Sequence, residues 1–288
     1  MNYSPKISIV TPSYNQGQFL EETIQSVLGQ CYPNLEYIIM DGGSTDNSVE
    51  IIKKYEKHLA YWTSEKDGGQ SAAINTGFKR ATGEILGWLN SDDMYLPGAL
   101  QYIATCLDPA KTQIVFGNCM HIREGSTQAS GSDVAAVQKS LPLYIADYVI
   151  QPSAFWTRRT WESVGELDQN MHFGFDWEWF LRAEQMNVSL TPLKKYLSIY
   201  RMHEAHKTGS GGESRQREMA LIYEKYAGPA YRDFYLECCR SGEAVYAFVS
   251  CLYRLKLGKI KQPFLWLKFP HIFRGRSENE AWTTLNMR

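Results

Sequence analysis

The chain has 288 residues, 44% of them hydrophobic and 21% charged, with a formal net charge of −1 at pH 7. That length accommodates one large domain, or one domain with a modest appendage, and the composition is that of an ordinary water-soluble globular protein. A net charge so close to zero removes any whole-molecule argument for a nucleic-acid partner.

The first half alternates strands with helices. Lys6–Thr11 reads as a short apolar strand, and Pro12–Gly17 as a loop. Phe19–Gln30 reads as a helix with Leu20, Thr23, Ile24, Val27 and Leu28 on one face. A second strand, Leu35–Met40, ends in Asp41-Gly42-Gly43-Ser44-Thr45-Asp46. The glycines permit a tight turn there, and Ser44, Thr45 or Asp46 is placed to cap the helix carrying Val49, Ile52 and Lys53. Ser71–Ala81 is a third helix and Ile85–Leu89 a third strand; a helix over Leu96–Leu107 and a strand over Gln113–Asn118 follow. The pattern then loosens into a polar loop at Ser126–Ser132, a strand at Ser153–Thr157 and a helix at Phe175–Met186. His206–Ser214, rich in Gly, Ser and Thr, reads as a mobile loop before a helical tail, which divides the chain into residues 1–212 and 213–288. Strand–helix alternation of this kind predicts an α/β architecture, a mostly parallel sheet covered on both faces.

Other signals bound the setting. Cys31, Cys106, Cys119, Cys238, Cys239 and Cys251 show no Cys-x-x-Cys spacing and read as buried, reduced thiols of a cytosolic protein. Ile7–Val10 follows the N-terminus almost directly, without the pattern of a signal peptide, and no apolar run reaches transmembrane length. Eight Trp and eighteen Tyr suit a core, and equally suit stacking on bases and sugars.

The sharpest chemical signal is Asn90-Ser91-Asp92-Asp93, directly after the buried-looking run Ile85–Leu89. Paired carboxylates suit a hard divalent cation, which as Mg²⁺ is commonly shared with a substrate's phosphates. The C-terminal end of an inner strand is also where open α/β sheets bind ligands. The bland alternative is that Ser91 and Asp92 cap the following helix.

Further motifs accompany it: Ile9-Val10-Thr11-Pro12-Ser13-Tyr14-Asn15, Ser26–Gln30, Asp41–Asp46, Asp67-Gly68-Gly69-Gln70, Asn75-x-Gly77, Gln151-Pro152-Ser153, Phe175-Asp176-Trp177-Glu178 and Tyr200-Arg201-x-His203. In this order and spacing they resemble a family 2 glycosyltransferase from about Lys6 to Thr208. The resemblance implies the GT-A fold, a Rossmann-like sheet, here with a helical C-terminal extension. It implies a metal-dependent inverting enzyme using Mn²⁺ or Mg²⁺ and a nucleotide-sugar donor, a UDP-sugar, with a glycan or lipid-linked glycan as acceptor. The setting it suggests is cell-surface polysaccharide or glycoconjugate synthesis, in the cytoplasm or at the inner face of the plasma membrane.

Residue by residue, the resemblance puts the uracil and ribose at Thr11 and Pro12, with Asp41 accepting the ring N–H and Tyr14 near enough to stack. As a turn residue, Asp41 would instead only brace Gly42 and Gly43. Asp93 would hold the metal, and Asp92 the ribose or a metal-bound water. His203 would complete the metal or phosphate site, whereas His206 reads as a surface residue. Asp67 and Gln70 would belong to the donor site and Gln151 to the acceptor side, while Arg201 and Lys207 are suited to pair with the diphosphate. Asp176 would be the catalytic base, ahead of Glu178. Without the resemblance, both acids simply complement a helix dipole. Trp156, Trp177 and Trp179 could wall a sugar ring, though core packing is the more ordinary reading. The glycine-rich loop at 206–214 suggests a lid over bound donor.

From Ala244 to Ser277 seven basic residues and several aromatics occur with no acidic residue. This suits an anionic bilayer surface as well as it suits a helical cap with snorkelling lysines. Two alternatives come from other classes: a catalytically silent nucleotide-sugar-binding or scaffold protein, and a nucleotidyltransferase. The loop Pro12–Gly17 has no basic residue to grip a triphosphate, which counts against the second.

Overall fold

In the computed structural model, which describes residues 3–203, 207 and 211–287, the early apolar runs lie side by side as parallel strands. They are β1 (Ile7–Ser13), β2 (Leu35–Asp41), β3 (Tyr61–Ser64) and β4 (Ile85–Trp88), in the order β3-β2-β1-β4. β1 and β4 are buried along their whole length, as continuous apolar strands covered on both faces should be. The sheet continues beyond β4 through β8 (Ala154–Thr157), β6 (Gln113–Arg123), β9 (Ser189–Met202) and β5 (Met94–Tyr95), with β7 (Ala129–Gly131) paired to β6. This half is mixed: β8 runs antiparallel to β4 and β6, β9 parallel to β6, and β5 antiparallel to β9.

Period-two alternation assigns each strand residue a face. Ile7, Ile9, Tyr37 and Ile39 share a core with Leu20, Ile24 and Val27 of α1 (Gly17–Leu28) and Ile51 and Ile52 of α2 (Ser48–Tyr55). Val10 and Met40 point the other way, against α3 (Gln70–Arg80). A Cβ on Gly77 would sit 2.5 Å from the Val10 side chain, so the Asn75-x-Gly77 motif permits close helix–sheet contact. Asn75 itself is buried, donating to the Leu167 carbonyl (2.9 Å) and accepting from the Leu167 N–H (3.0 Å). Further along lie α4 (Ala99–Cys106), α5 (Val134–Ser140), α6 (Arg158–Val164) and α7 (Phe175–Gln185).

Several expectations change. β6 runs on past Asn118 to Arg123 because β9 pairs with it there, and the polar segment 126–132 contains β7. β9 is absent from the sequence reading because Pro192, Lys194 and Lys195 interrupt its apolar pattern. β3 is absent from it because a short, half-buried strand has little pattern to show. α4 begins at Ala99, after Gly98 in a left-handed conformation (φ 75°), not at Leu96. Asn47 precedes α2, and of the three proposed caps only Asp46 bonds its first turn, through the Ser48 N–H (3.0 Å). The cysteines are all free, but only Cys119 and Cys238 are buried; Cys31 and Cys251 are exposed.

The chain divides into two compact units. The first joins the residues up to Gln138 with Tyr148–Lys207, and the second joins Lys139–Asp147 with the described residues from Gly211 onward. A single cut after 212 misses the 139–147 segment. That segment enters the second unit because Tyr144 meets the Tyr231 ring edge-on at 6.4 Å and Ile145 accepts from the Tyr223 hydroxyl at 3.4 Å. The second unit is otherwise helical: α8 (Gly212–Ala227), α9 (Pro229–Arg254), α10 (Lys261–Lys268), α11 (Pro270–Phe273) and α12 (Glu278–Asn286). Its core gathers Phe234, Val245, Leu265, Phe269, Ile272 and Leu285. Among the described residues, no helix is long and apolar enough to cross a membrane.

Candidate active site

Chain order places β2 on one side of β1 and β4 on the other, so a crevice opens between β1 and β4 at their C-terminal ends. β4 pairs with Ile7–Val10 only. After the Leu89 N–H donates to the Val10 carbonyl (2.9 Å), the chain turns away, and Thr11–Ser13 keep only β2 as a neighbour. The Thr11 side chain is buried and lies 3.1 Å from the Tyr37 hydroxyl, so what Thr11 and Pro12 offer the crevice is backbone. Tyr14, in the following loop, is 61% exposed.

On the β2 side, Asp41 is a buried hub. Its carboxylate accepts the N–H groups of Gly43 (3.2 Å) and Ser44 (2.9 Å) and the hydroxyls of Ser44 (2.5 Å) and Ser64 (2.6 Å). Asp41 thus braces the turn at Gly43 and Ser44. The rest of the motif braces the Tyr14 loop: the Asn15 N–H donates to Ser44 Oγ (2.8 Å), the Thr45 N–H to Asn15 Oδ1 (2.8 Å), and the Gly17 N–H to Asp46 Oδ2 (2.8 Å). Asp67 joins this end of the sheet. It accepts the Gly69 N–H (2.8 Å), and its carboxylate oxygens would stand 3.1 and 3.3 Å from a Cβ on Gly42.

On the β4 side, Asn90–Asp93 form a turn closed by the Asp93 N–H on the Asn90 carbonyl (3.1 Å). Because α4 starts only at Ala99, Ser91 and Asp92 do not cap it. The turn is pinned to α1 instead: the buried Thr23 hydroxyl lies 2.9 Å from the Ser91 carbonyl and 2.8 Å from that of Asp93. The Ser26–Gln30 motif continues the same docking, with the Tyr95 N–H donating to Ser26 Oγ (3.1 Å) and Gln30 Nε2 to the Leu96 carbonyl (3.0 Å).

The two acidic side chains differ. Asp93 is 1% exposed, accepting the Arg201 N–H (3.2 Å) and the Asn90 amide (3.4 Å). Burial first, and the adjacent Asp92 second, push its carboxyl well above the usual range. Asp92 is more open and meets His203 Nε2 at 3.0 Å; the His203 ring is buried and packs on Phe19 at 4.4 Å. β9 brings these partners in, because its pairing with Met94 and Tyr95 of β5 carries Arg201 and His203 back beside the acidic turn. His203 pairs with Asp92, not Asp93; carboxylate and imidazole are ligand types a divalent cation accepts, and its charge would relieve the crowding that raises Asp93. Among the described residues no group of three or more His, Cys, Asp or Glu side chains is placed to hold a metal ion, so this turn would need further ligands from a substrate or water.

A polar chain runs from here towards α3 and α7. Lys207 Nζ donates to Gln70 Oε1 (2.9 Å), Gln70 Nε2 to Asn90 Oδ1 (2.9 Å), and Asn90 Nδ2 to Gln151 Oε1 (3.2 Å). Gln151 in turn donates to the Trp88 carbonyl at 2.8 Å. Lys207 also lies over the Phe175 ring (5.3 Å), which itself meets Trp88 at 6.4 Å. Asp176 follows Phe175 in the first turn of α7, half-buried, its Oδ1 accepting the Trp177 N–H (2.9 Å). Glu178 is buried and paired with Arg182 at 3.0 Å.

Not every expected residue arrives. The Arg201 guanidinium lies against Glu22 (2.5 Å) and the Phe19 ring (4.8 Å) of α1. Trp156, Trp177 and Trp179 are fully buried; Trp156 packs against Trp88 and Trp179, and no sugar wall forms from them. His206 and residues 208–210 of the expected lid lie outside the described residues, and Gly212–Ser214 already belong to α8. Two residues were missed. Asn90 is the hub of the polar chain, and its position as the first polar residue after β4 was the available signal. Thr23 read only as part of a helix face, and nothing local announces its tether.

Residues 8–166 match the family model described as glycosyl transferase family 2. An uncharacterized glycosyltransferase of Mycobacterium tuberculosis is 30% identical over 188 residues, covering 64% of this chain and 70% of that protein. One of Rickettsia typhi is 35% identical over 117 residues, covering 41% of this chain and 36% of its own length, so the match spans little over a third of that relative. Among solved structures, S. aureus TarS 1–349 in complex with UDP-GlcNAc aligns with a TM-score of 0.58 at 18% identity, over 80% of this chain and 70% of that one. The mannosyltransferase PcManGT from Pyrobaculum calidifontis, in complex with GDP-Man and Mn²⁺, aligns with a TM-score of 0.62 at 16% identity, over 98% and 84%.

Proposed function

The chain belongs to glycosyl transferase family 2 and has the GT-A fold, and on that premise we propose that it transfers a sugar from a UDP-sugar to an acceptor hydroxyl, inverting the anomeric centre. The observation that carries this reading is the contact of Asp92 with His203, next to the buried Asp93, at the crevice where β1 and β4 part. Neighbours of the same fold in complex with UDP-GlcNAc and with GDP-Man and Mn²⁺ support a nucleotide-sugar donor.

The backbone of Thr11 and Pro12, with Asp41, receives the uracil, and the exposed Tyr14 ring is free to stack on it. Asp67 and Gln70 line the donor site at the start of α3, where unpaired N–H groups favour anions. Lys207, held by Gln70, faces the diphosphate, whereas Arg201 contributes through its backbone N–H on Asp93. Asp93 and His203 would hold Mn²⁺ or Mg²⁺, with Asp92 on the ribose or on a metal-bound water. A bound cation would supply charge neutralisation on the leaving diphosphate. Asp176 takes the proton from the acceptor hydroxyl as that oxygen bonds to the anomeric carbon and the nucleoside diphosphate departs; one such displacement inverts the centre. The pairing of Glu178 with Arg182 favours Asp176 over it in that role. Gln151 stands on the acceptor side. The acceptor is a glycan or lipid-linked glycan of cell-surface polysaccharide synthesis, met at the cytoplasmic face of the membrane through the helical extension.

The test is thermal stability with UDP, GDP, dTDP and CDP, each with and without Mn²⁺, for wild type and Asp93→Ala. A ligand that binds only the folded state raises the melting temperature. UDP should stabilise wild type only with Mn²⁺, and the variant should lose that response. Absence of any nucleotide effect would bring the silent-scaffold alternative forward.

A further inference from the structure

Exposed apolar side chains are concentrated at one place in the second unit. Tyr253, Leu255, Ile260, Trp266 and Leu267 are 59%, 62%, 57%, 46% and 75% exposed, all between the end of α9 and the end of α10. Elsewhere among the described residues, exposed large apolar side chains occur singly or far apart in sequence, as is ordinary for a protein surface. The knuckle is built to present them. Lys256 ends α9 with a left-handed turn (φ 59°), and Gly258 lies so close beneath the Tyr253 ring that a Cβ there would stand 2.3 Å from it. Leu265 anchors α10 inward, while Ile260, Pro263 and Leu267 recur at helical spacing on its exposed side.

The charge at the same place has one sign. Arg254, Lys256, Lys259 and Lys268 are exposed, and residues 244–277 contain no Asp or Glu. The nearest acidic partner along the chain, Glu278, takes only Lys261, at 3.7 Å. A second protein copy would bring its own cations to this knuckle and meet repulsion. A surface of anionic headgroups over acyl chains would satisfy both its features at once, the cations and the apolar tips.

We infer that the knuckle Tyr253–Lys268 is a membrane-docking surface that inserts Leu255, Ile260, Trp266 and Leu267 among the lipids of an anionic bilayer. The inference deepens the membrane contact of the proposed function, and it narrows the seven-cation tail to one face. Phe269 and Phe273, aromatics of the same tail, are buried in the helical core and take no part.

The test is co-sedimentation of the full chain with vesicles of phosphatidylglycerol in phosphatidylcholine, and with pure phosphatidylcholine. Wild type should pellet with the anionic vesicles, poorly with the neutral ones, and less as salt rises. Each basic residue at such a surface favours binding about fivefold, so Lys256→Glu with Lys259→Glu should reduce partitioning at least about tenfold. Leu255→Ser with Leu267→Ser should reduce it comparably while sparing the melting temperature, since both side chains are exposed. No pelleting with anionic vesicles, or pelleting that both variants leave unchanged, would overturn the proposal. So would a concentration-dependent dimer that the serine variant abolishes, because the face would then belong to a second copy. The nucleotide-dependent rise in melting temperature, measured on the same variants, reads the donor site separately. A failed docking surface and a failed glycosyltransferase reading thus give different results.

Discussion

Glu36 and Asp93 are buried carboxylates at opposite ends of one sheet, and they are treated in opposite ways. Burial pushes Glu36 upward, but the Lys6 ammonium (2.7 Å), the Ser8 hydroxyl (2.5 Å) and the N–H and hydroxyl of Thr82 (2.6 and 2.7 Å) outweigh it and hold the carboxyl down at about 2. Asp93 is buried more deeply, beside another carboxylate, with one backbone N–H and one distant amide in partial compensation, and it stays well above its ordinary range. Ser8 stands directly across from Glu36 in the β1–β2 register, so the N-terminal end of the sheet is electrostatically complete by itself. The C-terminal end is left incomplete. An acid kept at a cost to the fold, at the mouth of a crevice, marks where binding energy is expected from outside.

Substitution should separate the two ends. Asp93→Asn should cut turnover by about a thousandfold, a loss of some 4 kcal/mol in the transition state, and abolish the Mn²⁺-dependent nucleotide shift. The same variant, melted in chelator without nucleotide, should be at least as stable as wild type; a marked loss of stability would place Asp93 with Glu36 as a structural acid. Asp176→Asn should lower turnover by about a hundredfold while the nucleotide shift survives, measured on one preparation by rate and by melting. Glu36→Gln should do the reverse, leaving turnover intact and costing on the order of 2 kcal/mol at neutral pH by denaturant titration. Because the folded pKa of Glu36 lies below its ordinary 4.5, that stabilisation is complete above about 4.5 and fades as pH falls through about 2. Wild type and variant should therefore converge across that window, and a difference that persists at its acid end would refute the assignment. The smallest effect belongs to the tether. Thr23→Val should cost about 1 kcal/mol and weaken Mn²⁺ in the nucleotide shift, while nucleotide binding without metal stays as it was.

How much of this could be read from the residues depends on how local each interaction is. The β1–β4 half announces itself because each strand is a continuous apolar run followed by a helix of matching period, and Asp41, Asp92 and Asp93 sit at strand ends that the pattern locates. The Asp41 loop is also largely self-contained, bonding Gly43 and Ser44 next to it. The environment of the acidic turn is another matter. Thr23, Arg201, His203 and Gln151 reach it from α1, β9 and the segment before β8, and no periodicity links them. β9 hides behind its own lysines and proline. Arg201 illustrates the limit: its position was legible, but the direction of its side chain was decided by Glu22 and Phe19, which residue type and spacing do not reveal.

The late position of β9 also imposes an order of events. Asp93 and Asp92 meet Arg201 and His203 at sequence separations of 108 and 111, among the longest loops the first unit must close. Such closures are entropically expensive and form late. A growing chain would lay down β1, β2 and β4 with an acidic turn that still lacks its partners, and competence for a cation would arrive only when the last strand docks. Refolding should accordingly restore helical dichroism before it restores Mn²⁺-dependent nucleotide binding. Simultaneous recovery would mean that the strand docks in the first cooperative step.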